Sequence, residues 1–132
     1  MPRRSLIVGL LILCAGCVPI PHRHVKRPAV VFRVRDPSHR PIPGAVVRLV
    51  RCQSTTDSAG IVRITRVSEW RPFYPLIGEP ERPPFWAWRV DAPGFQPDSG
   101  VLRGEPQDTV EVHLEAGEHV PRPAVTHVPC DA

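Results

Sequence analysis

The chain has 132 residues, with 17 Lys and Arg against 13 Asp and Glu, and 18 prolines. This length allows one domain, and a hydrophobic fraction of 42% with a charged fraction of 23% excludes a wholly disordered chain. Because a proline inside a helix removes a hydrogen bond and clashes with the preceding turn, the proline content excludes an all-helical bundle.

Residues 1–16 have the layout of a secretory signal peptide. Two arginines precede an apolar run from Leu6 to Leu13, which is too short to span a bilayer. Two small residues then precede Cys17. This end resembles the bacterial lipobox, in which a signal peptidase cuts before a cysteine that then carries acyl chains, although Cys14 stands where that motif usually has leucine. The resemblance implies cleavage before Cys17 and lipidation of Cys17, with an ordinary signal cleavage nearby as the alternative.

A lipidated Cys17 predicts a protein attached to the bacterial cell envelope by its lipid anchor. One acyl chain gives only marginal membrane binding, so stable attachment needs more than one, and the lipoproteins that this chain resembles carry three, palmitate among them. By the same resemblance, Val18 in place of an aspartate points to the outer membrane.

The basic residues are concentrated near the predicted anchor. Residues 17–51 hold eight Lys and Arg and one acid. We expect this segment either to bind anionic lipid headgroups or to form a solvated face. Aromatic residues do not interleave with the basic ones, so we expect no nucleic-acid partner.

The cysteines divide by position. Cys14 leaves with the signal peptide and Cys17 would be acylated, so Cys52 and Cys130 remain in an oxidising compartment. We predict a disulfide between them, with two free thiols as the alternative.

Alternation of apolar and polar residues predicts strands after a Pro-rich tether over residues 17–27. The strands are expected at 29–35, 45–51, 61–67, 85–92 and 109–115, with a weaker one at 101–104 and a polar turn over 54–60. The side chains expected to face the core are Val30, Phe32, Val34, Ala45, Val47, Leu49, Val62, Ile64, Trp86, Trp88, Val90, Val110, Val112 and Leu114. Residues 118–132 form a Pro-rich tail, whose end could add an edge strand if Cys130 is held.

Four segments carry a family resemblance: RVRDPSHRPIPGAVVRLV at 33–50, TTDSAGIVRI at 55–64, WRVDAPGFQP at 88–97 and VEVHLEAG at 110–117. Together they resemble a carboxypeptidase regulatory-like domain over residues 28–117. The resemblance implies an all-β fold, a small antiparallel Greek-key β-sandwich of the prealbumin or transthyretin type with about six or seven strands. The family is a non-catalytic module, so a scaffold or binding unit is expected.

Residues 68–84 form an insert far longer than an ordinary hairpin loop, and six of the eight aromatic residues lie between Trp70 and Trp88. Long Pro-rich loops often bind partners, so the candidate ligand-binding residues are Trp70, Phe73, Tyr74 and Trp86. The alternative is that these rings cover one end of a small core as a lid.

The sequence offers no motif for catalysis. The six histidines lack the spacing of a zinc site, and a nucleophile elbow is missing, so we expect no metal, no cofactor and no catalytic residue. The leading hypothesis is a non-enzymatic envelope lipoprotein acting as a structural or interaction module, with an envelope protein or a glycan as its possible partner. The alternatives are a peptide- or glycan-recognition protein that uses residues 70–88, and an envelope hydrolase, which would need a pocket of convergent polar groups.

Overall fold

The computed structural model describes residues 18–74, 84–104, 109–118 and 128–130. Within these residues the protein is all-β, with ten strands in three sheets and no helix, which confirms the all-β part of the predicted fold. In chain order the strands are β1 (Ile20–Arg27), β2 (Val30–Arg35), β3 (Val46–Leu49), β4 (Cys52–Thr55), β5 (Ile61–Ile64), β6 (Val67–Phe73), β7 (Phe85–Asp91), β8 (Asp98–Arg103), β9 (Thr109–His113) and β10 (Val128–Pro129).

The described residues group into two compact units. The smaller unit consists of residues 18–26 and 68–74, where β1 and β6 form a two-stranded sheet. This pairing differs from the predicted unpaired tether and from the predicted loop over 68–84. Neither segment alternates cleanly between apolar and polar residues, so hydrophobic periodicity carries no signal for two strands that pair through their backbones.

The larger unit contains a three-stranded sheet in the order β5-β2-β9. Its central strand β2 buries Val30, Phe32 and Val34 and leaves the alternate residues half-buried, as the alternation predicted. β2 pairs antiparallel with β5 and parallel with β9, which places Phe32 opposite Val62 on one side and Val110 on the other.

The second sheet of this unit has five strands in the order β10-β4-β3-β7-β8. Val47 and Leu49 of β3 and Val90 of β7 are buried, as predicted. The buried faces of the two sheets meet where the rings of Phe32 and Trp88 pack edge to face, with centroids 5.7 Å apart. Complete burial of a side chain such as Phe32 contributes about 1.5–3 kcal/mol of hydrophobic free energy.

Two features of the predicted architecture are wrong. The sheets are mixed, because β2 pairs parallel with β9 and β10 pairs parallel with β4. The strands number ten rather than six or seven, since the described chain adds β1, β4, β6 and β10. β4 extends into the predicted turn over 54–60 because Gln53 and Ser54 complete a hairpin with β3.

The turn predicted around Asp57 and Gly60 is confirmed. One carboxylate oxygen of Asp57 accepts hydrogen bonds from the backbone N–H groups of Ala59 and Ile61, both at 2.9 Å. Gly60 has a φ of 70°, and a Cβ atom there would lie 2.5 Å from the carbonyl oxygen of Val34. A residue without a side chain is therefore required at position 60.

The turn after β2 is closed by Asp36, the residue that follows the strand. The Asp36 carboxylate accepts hydrogen bonds from the Arg40 backbone N–H at 2.9 Å and from the Arg40 Nε at 2.8 Å. The backbone bond from Arg40 is the main cause that holds the pKa of Asp36 below its usual value; burial opposes it by raising the pKa, and the side-chain bond adds to the lowering.

A disulfide joins Cys52 and Cys130, as predicted, and closes a loop across 78 sequence positions. It sits beside β10, whose residues Val128 and Pro129 pair with Cys52 and Gln53 of β4. The covalent link thereby holds the end of the tail at the edge of the five-stranded sheet. The sequence predicted an edge strand there on the condition that Cys130 is held in place.

Candidate functional site

Trp70 lies on β6 in the smaller unit, and its side chain is 70% exposed. Tyr74, directly after the strand, is also exposed, whereas Phe73 is half-buried with its ring 6.4 Å from that of His22. Three of the predicted ligand-binding residues thus lie on β6 or directly after it.

An ionic cluster surrounds Glu69, the neighbour of Trp70. Glu69 pairs with Lys26 of β1 and accepts a hydrogen bond from the Arg71 Nε at 2.6 Å. These contacts lower the pKa of Glu69, the hydrogen bond from Lys26 being the largest cause and that from Arg71 a further one, against an opposing effect of burial. Arg23 of β1 also donates to the Ser68 hydroxyl at 2.9 Å. Side chains as well as backbone groups therefore link β1 and β6 beside Trp70.

Trp86, the fourth predicted ligand-binding residue, is 5% exposed and belongs to the core of the larger unit. The exposed aromatic residue of β7 is its neighbour Phe85, at 71%. Sequence reasoning overlooked Phe85, although the signal was available. If Trp86 and Trp88 face the core, then Phe85 and Ala87 must face outward on the same strand.

The outer face of the five-stranded sheet has an apolar end. Ala87 of β7 lies directly opposite Val101 of β8, and both are exposed. Val50 is next to them, since its backbone N–H donates to the carbonyl of Ala87 at 2.9 Å. Together with Phe85 these residues form what we call the Phe85 patch: Val50, Phe85, Ala87 and Val101.

Val50 has an unusual backbone conformation. It occupies the first position of the two-residue turn between β3 and β4, with a φ of 55°. A β-branched residue is a genuine outlier in this region, and glycine is favoured at such turn positions. The left-handed conformation costs about 1–2 kcal/mol in a residue that carries a Cβ atom.

Charged residues occupy the other end of this face. The Asp91 carboxylate is buried and accepts bonds from the Arg48 Nη1 at 2.7 Å and the Arg89 Nη2 at 2.9 Å. Arg48 lies opposite Arg89 across the β3–β7 pair. One carboxylate thus holds two guanidinium groups, which leaves an excess positive charge beside the Phe85 patch.

Two imidazoles meet at the edge of the three-stranded sheet. The rings of His39 and His113 pack edge to face with centroids 5.4 Å apart. Across the described ranges, no group of three His, Cys, Asp or Glu side chains has a geometry that could hold a metal ion. Of the other histidines, His22 and His24 lie on β1, and His119 and His127 lie outside the described residues.

The predicted lipidation site, Cys17, also lies outside the described residues. In the part of the chain that the structure describes, no helix is long and apolar enough to cross a membrane.

A scan of the chain against protein-family models found no match, and a search of curated proteins found none either. The resemblance to the carboxypeptidase regulatory-like family therefore rests on the sequence motifs.

Proposed function

We propose that the chain is an exported bacterial lipoprotein, anchored to the outer membrane through Cys17, whose remaining part acts as a non-enzymatic structural or interaction module. The observation that carries the export proposal is the Cys52–Cys130 disulfide. Structural disulfides form and persist in oxidising compartments outside the cytoplasm. The acceptor for the acyl chains is proposed from the resemblance of residues 13–17 to the bacterial lipobox, in which the cysteine after two small residues is acylated.

The module is proposed to be a Greek-key sandwich of the prealbumin type. Two sheets with facing buried sides and the Phe32–Trp88 contact between them support this type. The motif residues have structural tasks as well. Asp57 closes a turn with its carboxylate, and the Thr56 hydroxyl links two backbone segments. Motif residues that are engaged in this way favour a scaffold over an active site.

The anchor is tested by replacing one cysteine at a time in the full chain. Expressed in a bacterial host, the unaltered protein is expected to partition into the detergent phase of a phase-separating detergent, and Cys17→Ala is expected to prevent its acylation. Cys14→Leu is the matched control, since it also removes a cysteine but puts the residue usual in the lipobox at that position, and it should not reduce the acylation. The proposal is contradicted if metabolically supplied palmitate labels the Cys17→Ala protein as strongly as the unaltered protein.

Recognition of a peptide or a glycan through residues 70–88 remains the second candidate function, and the exposure of Trp70 favours it. Because truncating an exposed side chain changes stability little, Trp70→Ala should alter the free energy of unfolding by less than about 1 kcal/mol. Loss of glycan or peptide capture by Trp70→Ala on an array, with unfolding unchanged, would support recognition. A large loss of stability would instead support a packing role.

A further inference from the structure

The Phe85 patch is an exposed apolar surface made of neighbouring side chains. Phe85 is 71% exposed, Val50 51% and Val101 49%, and all three border Ala87 or lie on the same two strands. Scattered exposed apolar residues are ordinary, whereas contiguous ones mark sites of interaction with proteins or membranes. The patch also includes Val50, which retains a β-branched apolar side chain at a turn position that favours glycine. Strain of this kind tends to be kept at functional sites.

Arginines border the patch on several sides. Arg103 lies directly opposite Phe85 in the β7–β8 pair and is exposed. Arg51 follows Val50 in the exposed turn, and the Arg48 and Arg89 pair shares one carboxylate at the next row of the sheet. Among the described residues of this face, Asp91 is the acid that lies beside Arg48 and Arg89, and both of its carboxylate oxygens accept hydrogen bonds from these two arginines.

We propose that the Phe85 patch docks on an anionic lipid surface. Phe85, Ala87, Val101 and Arg103 lie on one face of the antiparallel β7–β8 pair, so these apolar side chains and this arginine point to the same side. Aromatic and aliphatic side chains that enter the headgroup boundary, with arginines that reach lipid phosphates, are the features of interfacial binding. The proposal rests on the proposed function for placing the chain next to a membrane, and it adds which face of the larger unit meets that membrane.

The test is oxidative footprinting of the full, membrane-purified protein on vesicles, with mass spectrometry of each side chain. The vesicles are phosphatidylcholine alone or an equal mixture of phosphatidylcholine and phosphatidylglycerol. We expect oxidation of Phe85 to slow on the anionic vesicles, while that of His113, an exposed side chain on the three-stranded sheet of the same unit, keeps its rate. Equal rates for Phe85 on both vesicles, or equal slowing of His113 and Phe85, would overturn the proposal.

Two variants and one control variant make the test more specific. Arg103→Gln should weaken the protection of Phe85 about fivefold, as expected for one arginine near an anionic surface, whereas Arg63→Gln, an exposed arginine of the three-stranded sheet, should not. Val50→Gly should reduce the protection of Phe85 while it raises the stability of the fold, a combination that a purely structural role does not produce.

Protection of Phe85 by poly-glutamate and not by phosphatidylglycerol would overturn the lipid proposal in favour of an acidic protein partner.

The intact mass of the same sample separates this inference from the proposed function. An unacylated chain that is protected at Phe85 would retain the docking face and remove the anchor. An acylated chain whose Phe85 is not protected would retain the anchor and remove the docking face.

Discussion

The Thr56 hydroxyl links two backbone segments inside the larger unit. It accepts a hydrogen bond from the Ala45 N–H at 2.9 Å and donates one to the Ile42 carbonyl at 2.7 Å. Thr56 and Ala45 are both buried, so water does not readily replace either bond. Thr56→Val keeps the shape of the side chain and removes both bonds. The substitution therefore isolates the contribution of the hydroxyl.

The expected loss follows from the two backbone groups left without a partner. A buried donor or acceptor that loses its hydrogen bond costs about 1–3 kcal/mol, so the two groups together cost about 2–6 kcal/mol, and Thr56→Val should lower the free energy of unfolding by at least about 2 kcal/mol. With a urea m-value of about 1–1.5 kcal/mol per M for a domain of this size, the midpoint should fall by more than roughly 1 M. The measurement is equilibrium unfolding in urea, with the disulfide intact, followed by tryptophan fluorescence.

Thr55→Val is the matched control, because the neighbouring threonine of β4 is exposed. It should change the unfolding free energy by less than about 0.5 kcal/mol. Thr56→Ser retains the hydroxyl and should recover most of the stability that valine loses. Equal midpoints for Thr56→Val and Thr55→Val would refute the reasoning, as would a Thr56→Ser variant as unstable as Thr56→Val.

Three further predictions concern the covalent link and two turns. Replacing both Cys52 and Cys130 by alanine should lower the free energy of unfolding by up to about 4.5 kcal/mol, from the entropy of a loop across 78 positions, and urea unfolding would contradict this if the midpoint stayed unchanged. Gly60→Ala should destabilise the protein by more than about 1 kcal/mol, because its φ is positive and its Cβ would meet a carbonyl oxygen; an unaltered melting temperature would argue against that contact. The lowered pKa of Asp36 means that its ionised form stabilises the fold above the unfolded pKa of about 4, and that this stabilisation is lost as the pH falls through the folded pKa. Asp36→Asn should therefore be less stable than the unaltered protein at pH ~7 and should approach it in acid, and a constant difference in urea midpoint at both pH values would count against this.

How much of the fold could be predicted depends on what each strand contacts. β2 and β9 alternate between apolar and polar residues because one side of each faces the core, so their burial followed from period two. The pairing of Phe32 with Val110 was not predictable, since periodicity assigns a face and says nothing of which distant strand lies alongside. β1 and β6 have no apolar stripe at all, and only their pairing reveals them.

The candidate surfaces show the same division. The exposure of Trp70 agrees with its place in a polar, Pro-rich segment, and the Cys52–Cys130 pair followed from counting cysteines once the leader was set aside. The exposure of Phe85 could have been predicted with one further inference. Successive residues of a strand face opposite sides, so a core position for Trp86 places Phe85 on the outer face. The strain at Val50 was beyond sequence reasoning, because valine is a poor choice for a left-handed turn position and a pattern predicts the favoured residue.

The most direct test of the lipoprotein proposal is the intact mass of the protein purified from its native membrane, measured before and after reduction. The account predicts the mass of residues 17–132 plus acyl chains, with a gain of two hydrogen atoms on reduction from the sulfurs of Cys52 and Cys130. An unacylated mass would contradict the anchor at Cys17, and a mass unchanged by reduction would contradict the disulfide on which the export proposal depends.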